Sequence, residues 1–131
     1  MAHWAEAYIG TPWANGASGP NAYDCWGLVR TVYAKQLAIG LPAVDVDAHK
    51  IALVCRVVSD IKSSLAWRPV TSRREYDVVL MGRARIPHHV GVCAADGVLH
   101  AVEGAGVVLQ TERSLIAHGW RVLGRYRLAL Q

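Results

Sequence analysis

The chain has 131 residues, 53 % of them hydrophobic and 18 % charged, with a formal net charge of +4 at pH 7. That length is one domain, large enough to bury a core without disulfide staples, and the composition excludes a disordered segment. No stretch approaches the roughly 20 uninterrupted apolar residues that a membrane helix needs.

Residues 2–9 can form a short helix with Trp4, Ala5 and Tyr8 on one side. The stretch from Gly10 to Asn21 is dense in glycine, proline and small polar residues, so it propagates neither a helix nor a central strand. A helix should begin near Asp24, a good N-cap, and run to about Ile39, where Gly40 and Pro42 end it. Its apolar residues Cys25, Leu28, Val29, Val32 and Leu37 return at helical spacing and leave Arg30 and Lys35 for other faces. A further helix is expected across Asp47 to Leu65, since Ile51, Val54, Cys55, Val58, Ile61 and Leu65 repeat every three or four residues. Cys55 is then a core residue.

After Pro69 the period becomes strand-like. Tyr76 to Met81 is an apolar run ended by Gly82, and His89 to Ala94 is a second. Asp96-Gly97 is a tight-turn signal before a third run, Val98 to Val102. Gly104 and Gly106 allow a turn into Val107 to Thr111, Ser114 to His118 reads as a brief helix, and Trp120 to Leu128 as a last strand. Helices first and an antiparallel sheet afterwards make an α+β domain covering residues 1–131.

The positive charge fits an anionic partner, a cell-wall polymer or nucleic acid. The nearest thing to a basic cluster, Arg68, Arg73, Arg74, Arg83 and Arg85, lacks the interleaved aromatics on which single-stranded bases stack, so no nucleic-acid partner is expected. Three cysteines, Cys25, Cys55 and Cys93, form an odd set without CxxC spacing, which suggests free thiols and neither a disulfide framework nor a metal site. Met1 to Tyr8 has no basic region followed by an apolar one, so synthesis in the cytoplasm without a secretory signal is expected.

Cys25 stands where the loop-like sequence turns into a helix. Unpaired amides and the positive dipole end of a first turn favour an anion, so a thiol there is expected to ionise more easily than usual. A nucleophilic cysteine needs a base within hydrogen-bond reach and a third polar group to orient that base. Of six histidines, His3, His49 and His118 read as surface residues, whereas His89 and His100 fall inside apolar strands, where an idle imidazole would be costly to bury. His88, one residue from His89, should point to the opposite face.

The hairpin decides whether His89 and His100 meet. A two-residue Asp96-Gly97 loop pairs Cys93 with His100 and leaves the rings roughly 13 Å apart at strand rise. A four-residue loop, Ala94 to Gly97, pairs His100 with Gly91 and makes the rings diagonal neighbours, on the order of 7 Å apart. If His100 orients His89, the wider loop is expected.

Gly10-Thr11-Pro12-Trp13, Asp24-Cys25-Trp26-Gly27-Leu28-Val29, His89-Val90-Gly91-Val92 and Leu99-His100-Ala101, in that order, resemble the NlpC-type family of bacterial and phage cell-wall cysteine peptidases, most closely its phage-tail-associated branch. The resemblance implies a papain-like α+β fold, a cysteine-bearing helix on a five- or six-stranded antiparallel sheet. It implies Cys25 as nucleophile, His89 as base and His100 as orienting residue, with Trp13, Asp24 and Trp26 as substrate contacts and no cofactor or metal. The substrate it implies is the peptide stem of peptidoglycan, cut between D-γ-glutamate and a diamino acid, with phage-tail proteins as possible partners and the bacterial cell wall as the place of action. Many members have a tyrosine twelve residues before the cysteine, where this chain has Trp13. An impaired tail component of the same fold, and an acyltransferase using the same cysteine and histidine, are the alternative readings.

Overall fold

The computed structural model describes residues 3–43, 67–85 and 87–128. The expected helix across Asp47 to Leu65, with His49 and Cys55, lies outside the described residues.

The chain opens with a short 3₁₀ turn, Trp4–Ala7, in place of the longer helix expected. Its aromatic side chain is used at once: the Trp4 indole N–H donates to Glu75 Oε2 at 2.8 Å and its ring stacks on Tyr76. Helix α1 spans Cys25–Leu37. Asp24 caps it with extended backbone, and its Oδ1 accepts from the Gly27 amide at 2.6 Å, an arrangement worth about 1 kcal/mol. The helix stops two residues before Ile39, because Ala38 takes the left-handed conformation (φ 55°) that Gly40 was expected to supply. Amides of Ala38 and Ile39 both turn back to the Tyr33 carbonyl, satisfying the helix end without glycine.

Six strands follow: β1 Trp67–Pro69, β2 Val78–Gly82, β3 His89–Ala94, β4 Gly97–Val102, β5 Gly106–Thr111 and β6 Arg121–Leu128, with helix α2, Glu112–Ala117, before the last. They form one antiparallel sheet in the order β1-β6-β2-β3-β4-β5. Strand β1 was not foreseen. It is three residues long, carries a proline and, among the described residues, pairs with β6 alone, as suits an edge.

The central strands are buried on both faces, which is why they read as continuous apolar runs instead of alternating ones. Val78, Leu80, Val90, Val92, Leu99 and Val107 face α1 and pack against Leu28, Val29, Val32 and Tyr33. Val79, Met81, Cys93 and Val98 face the other way, against Leu115 of α2 and Trp120. Where β6 pairs with the start of β2, Arg127 of β6 grips the fully buried Asp77 through two hydrogen bonds of 2.7 Å each. That bidentate pairing satisfies a carboxylate that would otherwise be costly to bury.

The β3–β4 hairpin differs from both loops considered from sequence. Ala94 pairs with Gly97, Cys93 with Val98 and Val92 with Leu99, so the turn is the two residues Ala95 and Asp96, with Ala95 at φ 52°. The wider loop is therefore wrong, but its register is the one observed. Gly97 stays in the strand because β5 crosses so closely that a Cβ there would lie 2.5 Å from the Gln110 carbonyl oxygen.

Candidate active site

The loop before α1 is built to bring the cysteine to the sheet. Gly10 and Thr11 exchange backbone hydrogen bonds with Val107 at 2.9 Å each, and Tyr23 donates to Pro12 at 3.0 Å, so the loop is sewn to β5 and to itself. The second Asp24 oxygen accepts from Gly16 at 3.0 Å. Gly27 allows the loop to lie on the helix start: a Cβ there would stand 2.1 Å from the Ala17 carbonyl oxygen.

Cys25 consequently sits at the first turn of α1 with its sulfur addressed by the amides of Val90, Trp26 and Cys25 itself. The paired part of the β3–β4 ladder ends at Val92 and Leu99, short of Val90. The helix-borne thiol thus meets the sheet at the start of β3, one residue from His89.

By strand parity His89 belongs to the face away from α1, with Gly91 and Cys93. Its ring stacks on Trp120 at 4.7 Å between centroids, and Nε2 lies 2.9 Å from His100 Nδ1. His100 has no exposed surface; its other nitrogen, Nε2, lies 2.8 Å from Gln110 Oε1. Gly91 makes the diagonal contact possible, since a Cβ there would lie 3.0 Å from the His100 Cβ and 2.7 Å from Val98 Cγ1. A cleft of about 220 Å³ joins the parts: Cys25 and His89 line it together with Trp13, Trp120, His88 and Arg83. Cysteine and histidine reach it from opposite faces of the sheet.

Other candidates fall differently. Of the expected substrate contacts, Trp13 lines the cleft, whereas Asp24 and Trp26 do not. Both Asp24 oxygens serve backbone amides, and the buried Trp26 donates its indole N–H to the Pro42 carbonyl at 2.9 Å. His88 precedes β3, so strand parity does not govern it; it lines the cleft, accepts from the Arg83 amide at 3.1 Å and lies against Trp120. His3 contacts Glu75 at 2.8 Å and does not line the cleft.

Trp120, Arg83 and Gln110 carry much of the site, and none was expected there from sequence, where Arg83 reads only as part of a basic cluster. The Arg83 guanidinium lies 4.1 Å above the Trp120 ring and donates to the His118 carbonyl at 2.6 Å. Gln110 had a legible signal: with His100 opposite Val108, the alternation of β5 puts Gln110 on the same face. A larger hollow of about 590 Å³ lies between α2 and β6 and shares Trp120, but no cysteine or histidine among the described residues lines it.

The electrostatics correct one expectation. Burial pushes the Cys25 thiol up to about 12, with the Asp24 carboxylate adding to the rise, and the three amides do not offset them. Burial also holds His89 well below the usual imidazole range, helped by His100, His88 and Arg83. Burial thus favours the neutral form of both partners. The first turn of α1 places the thiol, but the cost of burying an anion there opposes what the helix end returns and raises the thiol.

The described residues contain no cluster of three or more histidine, cysteine, aspartate or glutamate side chains able to hold a metal ion, and no helix among them is long and apolar enough to cross a membrane. Comparison with solved structures gives a TM-score of 0.61 to the NlpC/p60 domain of the peptidoglycan hydrolase SagA, at 19 % identity over 95 % of this chain and 92 % of that one. A protein of Staphylococcus aureus described as similar to lipoprotein, NLP/P60 family, also gives 0.61 at 20 % identity, over 95 % of this chain and 38 % of that one. Neither is described as a phage-tail protein. No curated protein matches the chain. Residues 10–121 match the sequence profile of the NlpC/P60 family.

Proposed function

From the premise that the chain belongs to the NlpC/P60 family, we propose that it is a cysteine peptidase that hydrolyses amide bonds in the peptide stem of bacterial peptidoglycan, with the bond between D-γ-glutamate and a diamino acid as its target. The observation that carries this reading is the cleft shared by Cys25 and His89, with His89 tied at 2.9 Å to the buried His100.

His89 has one nitrogen, Nε2, engaged with His100, which leaves Nδ1 for the thiol. As the sulfur attacks the amide carbonyl, the S–H proton passes to His89 Nδ1, the S–C bond forms and the carbonyl electron pair moves to oxygen. The Cys25 amide at the start of α1 is the donor for that oxyanion. Collapse breaks the C–N bond, and the leaving amine takes the proton from His89, giving a thioester. Water then attacks with His89 as base, the S–C bond breaks, and the proton returns to the thiolate. Starting from a neutral pair, the charge appears only during attack, where the His89–His100 hydrogen bond and the Trp120 face stabilise the imidazolium.

Trp13 is the substrate contact in this scheme, its indole N–H supplying one hydrogen bond where a tyrosine would both donate and accept. Mass spectrometry of defined muropeptides incubated with wild type and Cys25→Ala tests the reading. Wild type should release the two halves of the stem at the glutamyl bond and the variant should release neither; stems left intact by folded wild type would refute it.

A further inference from the structure

The hydrogen-bond chain behind Cys25 continues past His100. Gln110 Oε1 lies 2.8 Å from His100 Nε2, and Gln110 Nε2 donates to Ser114 Oγ at 3.0 Å. The same Nε2 lies 3.3 Å from His118 Nδ1, but that nitrogen gives its hydrogen to the Ser114 carbonyl oxygen at 2.8 Å and so accepts none from Gln110. Ser114 is itself fixed in the first turn of α2, where its amide donates to Thr111 Oγ1 at 3.2 Å. Gln110 is therefore anchored on its outer side as well as its inner one.

We propose that Gln110 is a positioning residue that sets the direction of the two-histidine chain, fixing which His89 nitrogen is bare toward Cys25. This rests on the cysteine peptidase reading above. An amide oxygen can only accept, so His100 Nε2 carries the hydrogen that meets it. A neutral imidazole has one N–H, so His100 Nδ1 is bare and accepts from His89 Nε2–H. His89 Nδ1 is then bare as well, the form that can take a proton from a thiol. Turning the Gln110 amide over reverses every step. Its NH₂ would donate to His100 Nε2, His100 Nδ1–H would donate to His89 Nε2, and His89 Nδ1 would carry a hydrogen and be useless as a base.

Neither ring can choose between these directions alone, because each has one donor and one acceptor in either arrangement. Gln110 can, because its acceptor and donor ends are chemically different and it is the acceptor end, Oε1, that faces His100 Nε2, while the Ser114 hydroxyl holds the side chain in place without choosing its direction. Trp120 keeps the rings in place from the side, edge-on to His100 and stacked on His89, but offers them no hydrogen bond. Arg83 and His88 face the chain from the β2–β3 connection and His118 from beyond α2; all three stay in every variant below, so differences report on position 110.

The test compares wild type, Gln110→Glu and Gln110→Leu by muropeptide kinetics across pH and by nitrogen-15 NMR of the histidine rings. A carboxylate only accepts, so Gln110→Glu should keep His89 and His100 in their Nε2–H forms and keep activity, with the acidic limb of the pH profile moved upward because a carboxylate favours the charged imidazole. Gln110→Leu should lose the single tautomer and lower kcat roughly 10–100-fold with little change in KM. A wild-type His89 found with its hydrogen on Nδ1, or Gln110→Leu with unchanged tautomers and kcat, would overturn the proposal. Should Cys25→Ala be inactive while Gln110→Leu is fully active, only the role of Gln110 falls. An active Cys25→Ala would remove the peptidase reading instead, and the ring tautomers would still decide whether Gln110 directs the chain.

Discussion

Acid should destabilise this protein through His100, and the size of the effect follows from its burial. The ring has no exposed surface, and burial lowers it from 6.5 to about 4, with the Gln110 hydrogen bond opposing and the Arg83 charge adding. In the unfolded chain the same ring takes a proton near 6.5. Between those values the unfolded state binds the extra proton and the native state does not, so stability is full above the unfolded value and falls as pH falls toward about 4. At about 1.4 kcal/mol per pH unit the interval amounts to about 3 kcal/mol, a large part of an ordinary domain's stability. Burial of His89 acts in the same direction. The perturbation is His100→Gln, which cannot be protonated, and the assay is urea unfolding followed by tryptophan fluorescence from about pH 7 to about pH 4. Carboxylate contributions common to both proteins cancel in the difference. The wild-type advantage over the variant should shrink by about 3 kcal/mol across that range. A difference that stays constant with pH would refute the reasoning.

Gly91→Ala puts a methyl group 3.0 Å from the His100 Cβ and 2.7 Å from Val98 Cγ1; it should cost about 1–3 kcal/mol in urea unfolding, and unchanged stability would show that the hairpin yields freely. Asp24→Asn keeps one acceptor for the Gly27 amide, gives up the hydrogen bond from Gly16 and removes the charge that adds to the burial-driven rise of the Cys25 thiol; iodoacetamide should modify Cys25 faster in the variant than in wild type at a fixed pH near 8, and an equal or slower rate would contradict a contribution from that charge. In wild type that alkylation rate should keep climbing above about pH 9, whereas a flat rate from about pH 5 upward would mean a resting thiolate.

The sequence was most informative where one physical constraint decided the outcome. Side-chain parity put His89 and His100 on one face, and the requirement that they meet selected the Gly91–His100 register, which is the register observed for the hairpin. The turn itself was misread because Asp96-Gly97 carries two meanings. Glycine at 97 answers the approach of β5, and the left-handed position fell to Ala95, a tertiary demand that no local signal reveals. The end of α1 was missed for a similar reason, Ala38 adopting the conformation that Gly40 seemed made for. The helix start at Asp24 and Cys25 was legible, but the state of the thiol was not: a helix dipole can be read from position, whereas complete burial depends on how the Gly10–Asn21 loop and β3 close over it. Arg83 reads in the sequence only as part of a basic cluster and Trp120 only as the start of a strand, because their place at the site comes from the segment after α2 meeting the β2–β3 connection, far in sequence from Cys25.

The most direct measurement of the central claim is capture of the thioester itself. Wild type mixed with a defined muropeptide, quenched in acid during turnover and digested, should carry the acyl fragment of the stem on the peptide containing Cys25, and Cys25→Ala should carry none and turn over nothing. Steady hydrolysis by wild type with no adduct on Cys25 at any quench time, joined by hydrolysis in the Cys25→Ala variant, would contradict it.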